Sequence, residues 1–268
     1  MTRLLLACLL AACSLVHAQN PFESLSTDSL VGILNEHAQG RDAIHIQNAL
    51  AARTTESYPD SALVYAKEAL AMARKINFTN GEGTALMHTA NIWSLKGKKE
   101  KALSLFDEAT KIAREAGDSL LLAKTYFKKG NSYFNYGEYE ASLSFHQQAF
   151  ELFKRFGTNA QLASSHNSLG VLNYMDPQKQ VFHYDEALRL AKETNNVSMQ
   201  ATILLNLGDI QRIRNGDFEE AFKKYESATV LFDSIDHKRG LSAGYFQLAT
   251  IYTAWERYGE SLKYHQLA

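Results

Sequence analysis

One interval governs this sequence. Small residues recur on it at Ala69, Ala109, Ala149, Ala187, Ala228 and Ala268, separated by 40, 40, 38, 41 and 40 residues. A second series runs half a period ahead: Ala51, Ala90, Gly130, Gly170, Gly208 and Ala249. Self-similarity at this length marks a row of supersecondary units, each too small to bury its own apolar face. Glycine inside a helix costs about 1 kcal/mol relative to alanine. Three glycines at one phase therefore need a reason, and close approach of neighbouring helices supplies it. Helix propensity alone would favour small residues without fixing their phase.

The punctuation agrees. Only 3 of the 268 residues are proline, and the chain is rich in good helix formers. Gly97, Gly137 and Gly216 fall within the units, between the two predicted helices of a pair. Asp176-Pro177 replaces glycine in the fourth unit, where the spacing drops to 38, and Asn215-Gly216-Asp217 adds a residue in the fifth, where it rises to 41. Between units stand Asn80-Gly81, Gly117-Asp118, Gly157, Asn195-Asn196 and Asp236. The predicted pairs are 42–54 with 61–76, 82–95 with 99–116, 119–136 with 139–156, 158–174 with 178–194, 197–214 with 218–235, and 238–255 with 259–268. The fold class is all-α, a solenoid of stacked antiparallel pairs.

A lead-in at 19–41 precedes the array. Ser26, Thr27 and Asp28 offer an N-cap, Leu30, Ile33 and Leu34 an apolar stripe, and Gly40 a stop. Ahead of it, Met1-Thr2-Arg3, an apolar run from Leu4 to Val16 and Val16-His17-Ala18 have the pattern of a secretory signal peptide over 1–18. The run is too short to span a bilayer, which takes about 20 residues. Leu10-Ala11-Ala12-Cys13 resembles a bacterial lipobox, so Cys13 is a second candidate cleavage and lipidation site. Both cysteines, Cys8 and Cys13, lie in this segment, and neither cleavage leaves two for a disulfide within one mature chain. Export to a bacterial periplasm or cell envelope is expected.

From 42 to 268 the chain resembles the tetratricopeptide repeat. That family places an aromatic, Leu-Gly and Tyr on helix A, then Ala, an aromatic and Ala on helix B. The third unit matches at Tyr126, Gly130, Tyr133, Gly137, Tyr139 and Ala149, and departs at Lys129, Ser142 and His146. The second matches at Leu86, Trp93, Ala102, Phe106 and Ala109; the fourth at Leu169, Gly170, Tyr184 and Ala187. The fifth matches at Leu204, Leu207, Gly208, Phe218, Ala221, Tyr225 and Ala228; the sixth at Leu248, Tyr252, Tyr258 and Ala268. The first is degenerate around Ser57-Tyr58-Pro59-Asp60, and the last is cut within helix B, so fraying or truncation is expected there. A period of about 40 instead of the family's usual 34 residues implies longer helices. This long variety is similar to the exported repeat regions of bacterial sensor histidine kinases and related regulators, and 60–70 looks like their opening unit.

The resemblance implies a right-handed solenoid that binds protein or peptide in the concave face lined by helix A. The matching positions are Met87, His88 and Asn91 in the second unit and Lys124, Phe127, Lys128, Asn131 and Asn135 in the third. They continue with Asn167 in the fourth, Asn206, Asp209 and Arg212 in the fifth, and Phe246 in the sixth. Asparagine carries a donor and an acceptor and can grip a peptide main chain whatever its sequence. Lys124 and Lys128 lie one turn apart and favour an acidic group. The family's carboxylate clamp matches only at these two lysines, since His88, Ala52 and Asn48 stand where Asn, Asn and Lys are expected.

Other chemistry finds no support in the sequence. With 28 basic and 29 acidic side chains there is no surplus to neutralise nucleic-acid phosphates. Nine histidines include no H-x-x-x-H pair, so no metal is expected. His146 and His265 occupy the aromatic slot of helix B and are expected to pack between helices. No phosphate loop or nucleophile elbow is present, so neither catalysis nor a cofactor is expected. The leading reading is an exported binding scaffold. Alternatives are the sensory region of a membrane-bound signalling protein continuing past Ala268, and a lipid-anchored envelope assembly factor. Self-association through the open end of the array stays open.

Overall fold

The computed structural model describes Phe22, residues 25–36 and residues 38–268. The signal segment, with Cys8, Cys13 and Val16-His17-Ala18, lies outside them. Among the described residues there are thirteen α-helices and no strand. They fall into two compact units, one through Glu138 and one from Tyr139.

The first unit holds α1 (Thr27–Glu36), α2 (Gly40–Thr54), α3 (Pro59–Lys75), α4 (Thr79–Leu95), α5 (Lys99–Glu115) and α6 (Ser119–Asn135). The second holds α7 (Tyr139–Phe156), α8 (Asn159–Leu172), α9 (Pro177–Glu193), α10 (Val197–Ile210), α11 (Phe218–Ser234), α12 (Lys238–Ala254) and α13 (Tyr258–Leu267). These follow the predicted pairs to within a turn. Side chains cap several starts: Ser26 accepts from the Ser29 amide at 3.2 Å, Asp118 from Leu121 at 2.8 Å and Asp217 from Glu220 at 2.9 Å. Thr158 and Gln161 form a full capping box at α8, and Pro59 and Pro177 occupy the first turns of α3 and α9.

Helix ends follow a 20-residue beat. Asn77, Gly97, Gly117 and Gly137 in the first unit, and Asn195, Gly216, Asp236 and Glu256 in the second, all have positive φ, between 49° and 76°. Most close a Schellman pair. At Gly97, for instance, the Lys98 amide reaches the Trp93 carbonyl at 2.9 Å and the Gly97 amide that of Ser94 at 2.9 Å. Two sequence expectations differ from the structure. Gly40 (φ 59°) opens α2 and does not stop α1. Asn80-Gly81 lies inside the first turn of α4; the break is made by Asn77, since Asn tolerates the left-handed region. Glu256 takes that region with no such tolerance, so nothing in its residue type announces the turn.

Both irregular spacings have local causes. The fourth unit is short because α8 has 14 residues where α4 and α6 have 17; its turn, 173–176, is one residue longer than 96–98, not shorter as the spacing suggested, and ends on Asp176 as N-cap accepting from Lys179 at 3.1 Å. In the fifth, the extra residue is absorbed by a π-helical turn at Gln211–Asn215 that widens the end of α10.

Within each unit, consecutive helices pack as antiparallel neighbours. Helices A also pack on one another, α2 on α4 and α4 on α6, and likewise α8 on α10 and α10 on α12. Helices B do not do so comparably, which leaves the A side as the inner side of each stack. The small-residue phase has a sharper cause than backbone proximity. A Cβ on Gly170 would lie 2.6 Å from the Tyr184 ring, and one on Gly208 would lie 2.5 Å from the Tyr225 ring. The glycine on helix A makes room for the aromatic of helix B. In the first unit Ala90 and Phe106 share one core with Leu86, Ala102 and Ala109. Lys129, the departure from leucine, is buried but reaches Asp107 on α5 at 2.5 Å, so its ammonium is paired.

Candidate functional site

The first unit carries a cleft on its inner side, about 250 Å³, lined by Ala52, Thr55, Glu56, Asn91, Leu95, Lys128, Asn131, Phe134 and Asn135. It sits between the C-terminal halves of α2, α4 and α6. Its lining obeys the repeat. Ala52, Asn91 and Asn131 occupy one phase (91 − 52 = 39, 131 − 91 = 40), and Glu56, Leu95 and Asn135 occupy the phase one turn later (95 − 56 = 39, 135 − 95 = 40). Side chains four apart on a helix share a face, so three stacked helices A present a two-row surface. The volume is below the range of about 300–1,000 Å³ usual for drug-sized ligands. It suits one or two residues of a longer segment.

Among the described residues, the carboxamides of Asn91, Asn131 and Asn135 form no hydrogen bond, and the Lys128 ammonium forms no hydrogen bond or ion pair. Burial pushes the Lys128 pKa down, and Glu56 across the cleft partly restores it. The lysine thus holds a partly desolvated positive charge with donor capacity unfilled. His88, one turn below Asn91, is held neutral, with its pKa pushed down to about 3 by burial and then by Lys128 and Lys124. Lys124 therefore lies within electrostatic reach of the same group.

The other sequence candidates separate from this site. Met87 is buried, 3% exposed, in the core with Leu86 and Phe106, because α4 is enclosed by α2, α3, α5 and α6. It is not a groove residue. Phe127 is half-buried beside the lysines. Asn48, where the clamp would need lysine, is buried and donates to the Gly81 carbonyl at 3.3 Å.

In the second unit the candidates largely satisfy one another. Asn206 donates to Asn167 at 3.0 Å. Asp209 accepts from Tyr225 Oη at 2.7 Å and from Gln247 Nε2 at 3.1 Å, and Arg212 bonds Tyr225 Oη at 3.2 Å. This network positions the buried Tyr225 ring, and burial first, with the Asp209 bond, pushes its phenol pKa well up. Phe246 is exposed and meets His265 edge-on at 5.6 Å. His265 is exposed too, contrary to its expected packing, whereas His146 is buried and its pKa is pushed down to about 4 by desolvation.

Sequence reasoning missed Ala52, Thr55, Glu56, Leu95 and Phe134 as cleft residues. The signal was available: one further turn along each helix A from Asn91 and Asn131 leads to Leu95 and Asn135, and the same phase in the degenerate first unit gives Glu56.

No protein-family model matches the chain. It is 29% identical over 140 residues to the 43 kDa receptor-associated protein of the synapse from Gallus gallus, covering 48% of this chain and 32% of that protein. The match thus spans about a third of that relative. Among solved structures, a Rap protein complexed with competence and sporulation factor superposes with a TM-score of 0.69 at 16% identity, over 90% of this chain and 67% of that one. A signal-transduction ATPase with a tetratricopeptide-repeat sensor from Pyrococcus horikoshii gives a TM-score of 0.64 at 20% identity, over 90% of this chain and 39% of that one. With helix pairs, inner A faces and the glycine–aromatic lock described above, these likenesses establish the architecture: the chain has the fold of the tetratricopeptide-repeat proteins, in a long-repeat form.

Proposed function

We propose that this protein is a non-catalytic scaffold that binds a protein or peptide segment through helices A, with the first-unit cleft as its principal contact. The observation that carries this reading is the convergence of Asn91, Asn131, Asn135 and Lys128 on one cleft with their side-chain hydrogen-bonding capacity unfilled among the described residues. Asn91, Lys128 and Asn131 are half-buried and Asn135 is exposed, so their polar ends open into the cleft and are available to an outside partner. Three carboxamides stacked along one groove match the donors and acceptors of an extended main chain, and Lys128 adds preference for a carboxylate. The protein complexed with competence and sporulation factor has this fold, which supports a binding role without specifying the partner.

The signal-peptide pattern supports a periplasmic or envelope location, reached by cleavage after Ala18 or by lipidation of Cys13. A second reading is the sensory region of a longer signalling protein, favoured by the likeness of residues 60–70 to the opening unit of such regions.

Selection from a displayed random-peptide library tests the binding reading. Peptides enriched by the wild-type protein should bind at least tenfold more weakly to an Asn91→Ala/Asn131→Ala variant of unchanged helicity. Enrichment of no peptide, or binding untouched by the substitutions, would sink the assignment of this cleft.

A further inference from the structure

A pair of histidines lies in the second unit, apart from the cleft. His166 on α8 is buried, and its Nδ1 is 3.0 Å from Nδ1 of His183 on α9. The rings are 5.2 Å apart between centroids. Phe150 of α7 meets both edge-on, at 4.9 and 6.3 Å, and Phe182 of α9 meets His166 at 6.1 Å. At 3.0 Å the two nitrogens form a hydrogen bond only if one carries a proton and the other does not.

We infer that His166 and His183 form a pH-sensitive latch between α8 and α9: the neutral pair ties the helices through one Nδ1–H···Nδ1 bond, and protonation of both rings breaks it. The first added proton leaves a bond from an imidazolium Nδ1–H to a neutral Nδ1. The second points two N–H groups and two positive charges at each other among phenyl edges, so the rings must separate.

The charged surroundings favour the neutral pair. Lys179 and Arg189 of α9 and Lys154 of α7 oppose protonation, and only Glu186 of α9 favours it. Helix α8 carries no charged side chain, and Asp209, the one charge on α10, acts on Tyr184. Burial is the main cause for both histidines. It pushes His166 down to about 4 and lowers His183 as well. Unfolded histidine titrates near about 6.5. Because the folded form binds protons less readily, the latch stabilises fully above about pH 6.5 and is lost as pH falls toward about 4. The device is independent of the first-unit cleft.

Hydrogen exchange of the full chain, corrected for intrinsic rates, tests this together with nitrogen-15 NMR of the histidine rings. Between pH 6.5 and 4.5 the protection of 159–172 and 177–193 should fall on the order of tenfold relative to 82–95. In a His166→Asn/His183→Asn variant, whose carboxamides can keep a neutral bond, it should fall less than twofold. His146, also buried, is present in both proteins and cancels from the comparison. An equal loss in wild type and variant overturns the latch. Nitrogen-15 shifts of the neutral rings decide the matter even if the variant does not fold: one Nδ1–H tautomer within the pair supports the latch, and Nε2–H tautomers on both rings overturn it.

Discussion

Gly208→Ala tests the glycine–aromatic lock most directly. In an ordinary helix interior this change stabilises by about 1 kcal/mol through backbone propensity. Here the new methyl would stand 2.5 Å from Tyr225 Cε1, and ordinary contact begins at 3.4 Å, so the ring must retreat by 0.9 Å (3.4 − 2.5). That ring is fully buried, and its hydroxyl is tied to Asp209 at 2.7 Å and to Arg212 at 3.2 Å. Overpacking of a tight core costs about 1–3 kcal/mol, and weakening a hydrogen bond to a charged acceptor costs about 1.5–3 kcal/mol. Against the propensity gain, the net expectation is destabilisation of about 2 kcal/mol. Urea unfolding followed by helical circular dichroism, with exchange protection of 197–234 as a local readout, measures it. A double-mutant cycle with Tyr225→Phe separates the causes. Freed of its tether, the ring can tilt away, so the double variant should be less destabilised than the sum of the single changes by at least 0.5 kcal/mol on the scale typical of contacting residues. Stabilisation by Gly208→Ala, or additivity in the cycle, would refute the reasoning.

The remaining predictions concern helix ends and the cleft. Glu256→Gly should stabilise the second unit by about 0.5–1 kcal/mol, because a left-handed L-residue costs about 1–2 kcal/mol and glycine returns part of that as unfolded-state entropy. Gly97→Ala, at φ 70° with open space around its Cβ, should destabilise by about 1 kcal/mol through backbone strain alone. Both are read from chemical-denaturation midpoints. Lys128→Met should leave stability unchanged or raise it by up to about 1 kcal/mol, since it removes a desolvated charge with no ion pair. It should weaken any acidic ligand of the cleft, seen by calorimetry. Marked destabilisation would show that the lysine serves the fold.

The fold was legible because its determinants are periodic and local. Alanine and glycine at a fixed phase, with breakers between them, locate nearly every helix, and the two deviant spacings fall at the shortened α8 and at the π-turn at 211–215. Legibility failed where a backbone state is imposed from outside the residue. Glu256 is left-handed because two helix ends must meet there, and Gly40 begins a helix because the lead-in has already stopped. The candidate site divides on the same principle. Sequence can say that a position faces the inner side, which is how Asn91, Lys128, Asn131 and Asn135 emerge. It cannot say whether a polar group there already has a partner. Asn167 and Asn206 share the phase of the cleft residues or lie next to it, yet each satisfies the other, and Asp209 is taken by Tyr225 and Gln247. In the first unit the cleft sets Ala52 and Leu95 beside Asn91, Asn131 and Asn135, and although Asn91 and Asn131 share one phase, no hydrogen bond joins them. Equal phase is therefore not enough for pairing across a repeat, and only the structure separates a satisfied carboxamide from an open one. Filling the cleft makes the reading testable: Ala52→Leu should leave helicity unchanged and weaken any peptide that depends on Asn91, and undiminished binding would show that the segment lies elsewhere.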